Sequence, residues 1–229
     1  TAFNGNLTVN STNGTGIYFS ENAAGSSILA NTKAIAVGGT GFSNGELRLE
    51  RFTQTGATAQ NITLTGNATF RLDDITTWDG DLTVVAPRVF LQNSVFNGTA
   101  SFTKTDNNTD SNYGGNTFNG ATTFINNASG TFRLANNASD DFVGNVTFNQ
   151  VAGNIQPAYN QPSNFQGNVT VNGASIITFG ANNGTAVFTG NNSQTINRSG
   201  AAAPIFRRLQ LNKASNSHQV FSILMLLTS

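Results

Sequence analysis

Cysteine is absent from the 229 residues. That removes disulfides, thiolate nucleophiles and cysteine metal sites together. Charge is scarce: 11 Lys and Arg balance 11 Asp and Glu, so the basic excess of a nucleic-acid binder is missing. The one histidine, His218, has no partner Ser or Asp context around it, and a zinc site needs several nitrogen or sulfur ligands. Glu and Lys, the usual helix formers, are few, and no stretch sustains a 3.6-residue apolar period, so helices are not expected. No apolar run reaches the roughly 18 residues that a spanning helix requires. The opening "TAFNGNLTV" already reads like the rest of the chain and not like an export signal, so any such signal is expected to have been removed or to lie outside these residues. "GGTGFSNG" at Gly38–Gly45 is glycine-rich but lacks the Lys-Ser/Thr ending of a phosphate-binding loop.

What remains is unusual in kind. Hydrophobic residues reach 38% with 18 Phe, enough to bury a core, while a disordered chain would combine low hydrophobicity with high net charge. Asn, Thr, Ser and Gly take the place of the missing charges, which predicts a neutral, polar surface.

Near-identical phrases recur: "FVGNVTFNQ" at Phe142–Gln150 and "FQGNVTVNG" at Phe165–Gly173. Aromatic residues followed by Gly two or three positions later stand at Phe3, Phe42, Trp78, Phe96, Phe118, Phe142, Phe165 and Phe188. From Phe96 onward the spacings are 22, 24, 23 and 23, and from Trp78 to Phe96 the spacing is 18. The earlier gaps of 39 and 36 fit two turns each, with "QNITLT" at Gln60–Thr65 as a copy without its aromatic. A fixed period of this length marks a repeat architecture. Within a copy, Phe142, Gly144, Val146 and Phe148 alternate with polar residues, the period of a strand with one buried face. A second short strand is expected about 12–14 residues later, as in "TFRL" at Thr69–Leu72 and Thr131–Leu134, "IYF" at Ile17–Phe19 and "IITF" at Ile176–Phe179. Asn- and Gly-rich turns such as "NNASG" separate them.

Two architectures accommodate short strands with no helices between them: a parallel β-solenoid and an antiparallel sandwich. Equivalent residues in a solenoid stack on one another, which favours identity at matched positions, and identity is what the repeats show. The expectation is an all-β, single-domain parallel β-solenoid, right-handed, with about 18–24 residues per coil and roughly ten coils over residues 1–214. At ~4.8 Å per coil the rod would be on the order of 50 Å long. The eight aromatics above would form its interior ladder. Thr8, Thr63, Thr83, Thr123, Thr147 and Thr170 would form an outward ladder, extended by Ser101 and Ser193, beside an asparagine ladder of Asn6, Asn61, Asn145, Asn168 and Asn191. Such a surface suits a periodic ligand such as ice or a polysaccharide, although Thr favours strands whatever its function. Arg48, Glu46 and Asp81 would interrupt these ladders. The Asn-x-Ser/Thr matches, Asn6 and Asn67 among them, follow from repetition.

One acidic cluster, Asp73, Asp74, Asp79 and Asp81 in "RLDDITTWDGD", lies between Arg71 and Arg88. Clustered carboxylates suit acid–base chemistry on glycans or a structural calcium, and they equally mark turns, as would Asp106, Asp110, Asp140 and Asp141. No other cofactor is implied. Residues 215–229 leave the repeat: Val220, Phe221, Ile223, Leu224, Leu226 and Leu227 form an apolar tail that would cap the solenoid, donate a strand to a neighbour, or mark a truncated end.

"FNGNLTVN", "FVGNVTFN", "FQGNVTVN" and "FRRLQLNKAS" resemble the repeat regions of large secreted bacterial surface proteins of the parallel β-helix adhesin and filament type. The resemblance covers residues 1 to about 214, and its motifs are rungs and not sites. It implies a non-enzymatic stalk, adhesin or fibre at the cell surface or outside the cell, self-associating into filaments and in contact with surface glycans. A glycan-binding or glycan-cleaving β-helix and an ice-binding protein are the alternatives.

Overall fold

The computed structural model describes residues 1–22, 24–201 and 203–213, and the backbone of residues 222–223. Among them there is no helix, and the named strands pair in parallel to build a β-solenoid of about 9 turns in one domain. Each coil passes over three faces.

The first face is a ten-stranded sheet running from Ala2–Phe3 to Leu209–Leu211. Its inward column reads Phe3, Leu29, Gln54, Trp78, Phe96, Phe118, Phe142, Phe165, Phe188 and Leu211. Phe42 is not in it. That residue is buried on the second face, where it pairs with Ser11, and the strand Glu46–Glu50 that follows it belongs to the third face. Two early coils fill the ladder with Leu29 and Gln54, so a search for aromatic residues passes over them. The spacing from Phe3 to Leu29 is 26 residues, longer than the expected coil, because the loop ahead of Ser27–Leu29 is longer.

The second face is an eight-stranded sheet from Gln60–Thr63 to Ser222–Ile223, preceded by the pair Leu7–Ser11 and Ile35–Phe42. Ile62, Val84, Phe102, Phe124, Phe148 and Val171 point inward from it. The third face carries the strands read from "IYF", "TFRL" and "IITF". It runs Ile17–Phe19, Glu46–Glu50, Thr69–Asp73, Arg88–Leu91, then resumes as Asp110–Ser111, Thr131–Arg133 and Asn154–Gln156, and ends with Ile177–Phe179 paired to Pro204–Phe206.

Phenylalanine rings fill the interior in two ways. Along the first face Phe96, Phe118, Phe142 and Phe165 lie nearly parallel, with centroids 4.9, 4.9 and 5.1 Å apart. Between faces the contacts are edge-on, as for Phe118 and Phe124 at 87°. Both geometries suit the ring quadrupole. In-register pairing produces the first, and the inclination of two faces produces the second.

Glycine fixes the corner between first and second faces. A Cβ on Gly144 would lie 2.4 Å from the Gly120 carbonyl oxygen, and one on Gly120 would lie 2.1 Å from that of Gly98. The coils touch there backbone to backbone, so only hydrogen fits. The corner after the third face is built differently. Ser20, Arg51, Asp74, Asn93, Ala135 and Ala158 all have positive φ there, a conformation that costs a side-chain-bearing residue about 1–2 kcal/mol.

Candidate functional site: a cleft where the third face breaks

The outward column of the third face reads Tyr18, Arg48, Arg71 and Phe90 on successive paired strands. Carboxylates hold the arginines at this face. Arg48 bridges Glu50 at 3.0 Å and Asp73 at 2.9 Å, and Arg71 Nε donates to Glu46 at 3.1 Å. Phe90 lies under two guanidinium groups, those of Arg71 at 4.5 Å and Arg88 at 4.8 Å from the ring centroid, which is favourable cation–π geometry. Burial pushes the Asp73 carboxyl above its usual range, against the pull of Arg71 and Arg48.

The sheet then breaks between Arg88–Leu91 and Asp110–Ser111. Side chains replace the backbone ladder: Asp110 accepts the Val89 N–H at 2.9 Å, and Asn112 Oδ1 accepts the Leu91 N–H at 2.7 Å. One isolated bridge, Gln92 to Gly114, holds the coils together beyond the break. Asp110 is fully buried, and its carboxyl too is raised by burial, although it receives Arg88 Nε at 3.0 Å and faces the buried Lys104 Nζ at 3.7 Å. The Lys104 ammonium donates to the Asp106 main-chain oxygen at 2.6 Å and to its carboxylate.

A cleft of about 160 Å³ opens along this break. Arg71 and Asp73 reach it from one coil, Phe90, Leu91 and Gln92 from the next, and Ser111, Tyr113 and Asn137 from the coils beyond. A donor-rich guanidinium, a carboxylate, amides, hydroxyls and aromatic rings therefore meet in one indentation. The Phe and Gly columns repeat from coil to coil; this lining does not.

The four aspartates read as one cluster are divided by the fold. Asp73 and Asp74 sit at the corner after the third face, where Asp74 has positive φ and accepts Gln92 Nε2 at 3.3 Å. Asp79 and Asp81 lie past Trp78, at the glycine corner. Asp79 accepts Asn97 Nδ2 and Asp81 accepts the Thr99 N–H, both at 2.8 Å from the adjacent coil. Asn6, Asn145 and Asn168 receive a neighbouring coil's N–H in the same way, so Asp81 is one more rung of a corner ladder. Among the described residues no group of three or more acidic, His or Cys side chains is placed to hold a metal ion. Asp110 and Asp140, expected in turns, are instead buried within strands.

Thr83, Ser101, Thr123, Thr147 and Thr170 share one outward column, bounded by Asn61 and Asn197. Thr63 pairs with Val85 in the next column, and Thr8 pairs with Ala36. Ser193 precedes its strand and is not in the column. Asn61, not Thr63, takes the rung, because the copy at Gln60 is offset by two residues from the later ones. Of the apolar tail, Ser222 and Ile223 are described as a strand whose backbone pairs with Thr195 and Ile196. Val220, Phe221, Leu224, Leu226 and Leu227 lie outside the described residues, as does His218.

Comparison of the chain with protein-family models, with curated proteins and with solved structures finds no match.

The cleft residues escaped the sequence reading because Arg71, Phe90 and Tyr113 lie on different coils, about 20 residues apart, and only the register brings them together. The charged strand "ELRLE" was a usable signal: alternating charges on a strand mark an exposed face that departs from the Asn/Thr pattern.

Proposed function

We propose that this chain is a non-enzymatic extracellular rod, a structural or adhesive segment of the secreted bacterial surface type, which extends by stacking end to end. One observation carries the reading. The first-face column runs in register from Phe3 to Leu211, and from Phe96 to Phe165 it sets like residue on like, so each coil presents to the next the surface that a further coil needs. A parallel edge with matching inward residues accepts another coil, and repetition of a contact that does not close yields a filament. The absence of cysteine, the neutral surface and the resemblance of the rungs support an extracellular setting.

Gly5 supplies a specific test. It occupies the glycine corner of the first coil, and a Cβ there meets nothing within 4 Å. A further coil stacked on this edge would bring a carbonyl against it, as Gly120 does for Gly144. Negative-stain microscopy of the concentrated protein should show fibres of the rod's width. Gly5→Ala should leave the melting temperature unchanged and shorten or abolish the fibres. A monodisperse monomer at high concentration would remove the proposal.

A further inference from the structure

We infer that the cleft at the break in the third face is a binding subsite for a neutral polysaccharide, taking one pyranose ring against Tyr113. This goes beyond the rod reading and does not depend on end-to-end stacking.

The first argument is capacity. A cleft of about 160 Å³ is a local indentation, on the scale of a small ligand or one residue of a polymer and not of a helix or a folded partner. The second is the state of the polar atoms. Among the described residues Arg71 gives Nε to Glu46 and its guanidinium face to Phe90, and its terminal nitrogens have no hydrogen-bond partner there. Gln92 uses Nε2 on Asp74 and keeps its carbonyl oxygen, while the hydroxyls of Ser111 and Tyr113 have no protein partner among the described residues. Donors and acceptors thus alternate around one small space. Adjacent sugar hydroxyls, each both donor and acceptor, satisfy such a rim, because a site's uncompensated polar groups are costly to desolvate.

The third argument is charge. Asp73 and Arg71 line the cleft together, with Asp74 close by, so the lining favours neither an anion nor a cation. A phosphate or uronate would meet carboxylates, and an ammonium would meet guanidinium groups. The fourth is the aromatic surface. Phe90 is covered by Arg71 and Arg88, but Tyr113 is 42% exposed, a flat apolar platform with a polar tip. The C–H face of a pyranose stacks on such a ring.

A polymer is favoured because the face continues. Arg133, paired in register with Ser111, continues the face past the cleft and covers the Tyr159 ring at 4.4 Å, as Arg71 covers Phe90. A saccharide chain lying along the rod axis would stack on Tyr113 and meet the Arg133 guanidinium beyond it.

The test is affinity electrophoresis of the full chain in native gels containing β-glucan, xylan or galactomannan, with polygalacturonate as the acidic comparison. At least one neutral polymer should retard the protein. Tyr113→Ala, at an exposed position whose loss leaves the core intact, should weaken that retardation at least tenfold, and Arg71→Met should weaken it similarly. Thr123→Ala on the second face should leave it unchanged. The inference is overturned if no neutral polymer retards the protein, if Tyr113→Ala binds like the parent, or if only polygalacturonate is retained. None of these outcomes bears on the fibres, so the two proposals fail separately.

Discussion

Phe142 shows what one residue contributes. Its ring stacks on Phe118 at 4.9 Å and on Phe165 at 5.1 Å, and it meets Phe124 and Phe148 edge-on. Phe142→Ala would open a cavity inside a closed coil whose backbone cannot collapse around it. The expected cost is about 3–5 kcal/mol, measured by chemical denaturation, and an unchanged midpoint would contradict the interior ladder. Asp140 makes the opposite case. It is buried, and desolvation raises its carboxyl to about 6 even though Asn116 donates to it through both backbone and side chain. The folded chain therefore holds this proton more tightly than the unfolded chain, whose carboxyl stays near 3.8. Stability from this group is full below pH 3.8, falls as pH rises toward 6, and is lost above that. Asp140→Asn should raise stability at pH 7 by up to about 3 kcal/mol and make little difference at pH 3.5. Parallel stability curves for the two proteins across that range would rule the account out. The alternation of residues around Phe142 made its burial legible in the sequence. Nothing local distinguished Asp140 from a turn aspartate, because its burial depends on Asn116 one coil away.

Among elements, the corner is more informative than the strand. The strands need little explanation beyond alternation, but each corner solves a separate problem. At the glycine corner Gly98, Gly120, Gly144 and Gly167 stack backbone on backbone. Gly144→Ala places a methyl 2.4 Å from a carbonyl that is fixed by the neighbouring coil, whereas Gly39→Ala meets nothing within 4 Å. The first substitution should destabilise by at least about 2 kcal/mol, and the second should be close to neutral. Equal melting temperatures for the two would show that the corner has more room than the coil stacking allows. The recurring aromatic-x-Gly phrase disclosed this corner. The corner after the third face stayed hidden, because Ser20, Arg51, Ala135 and Ala158 adopt positive φ without a glycine to announce it. Interior amides and carboxylates were hidden likewise: Gln60 donates to the Lys33 carbonyl and accepts the Ile35 N–H, closing a gap between coils that no sequence pattern marks.

At the scale of the molecule, the second face repeats from coil to coil while the third face does not. The second face presents Thr and Ser in a column, with Val85, Thr103 and Ile125 in the column beside it. That mixture lacks the uniformity that an ice lattice would require. The third face carries Arg48, Arg71, Arg88 and Arg133 with Glu46, Glu50 and Asp73, and a concavity that Arg71, Asp73 and Tyr113 line opens at its break. Fibres formed by stacking coil on coil should be nearly insensitive to salt. A chain with net charge zero has little long-range repulsion or attraction to screen.

The sequence by itself determined the architecture. Strand alternation and near-identity at a fixed period require a ladder, and a ladder of this period without helices closes as a parallel solenoid. It also placed most of the interior column, since in-register stacking rewards like residues on like. Only the tertiary structure decided the register of the early coils, where Leu29 and Gln54 stand in for aromatics, and only it assembled the cleft. Residues one coil apart in space are some 20 apart in the chain, and no local pattern records which of them share a column once the rungs cease to match.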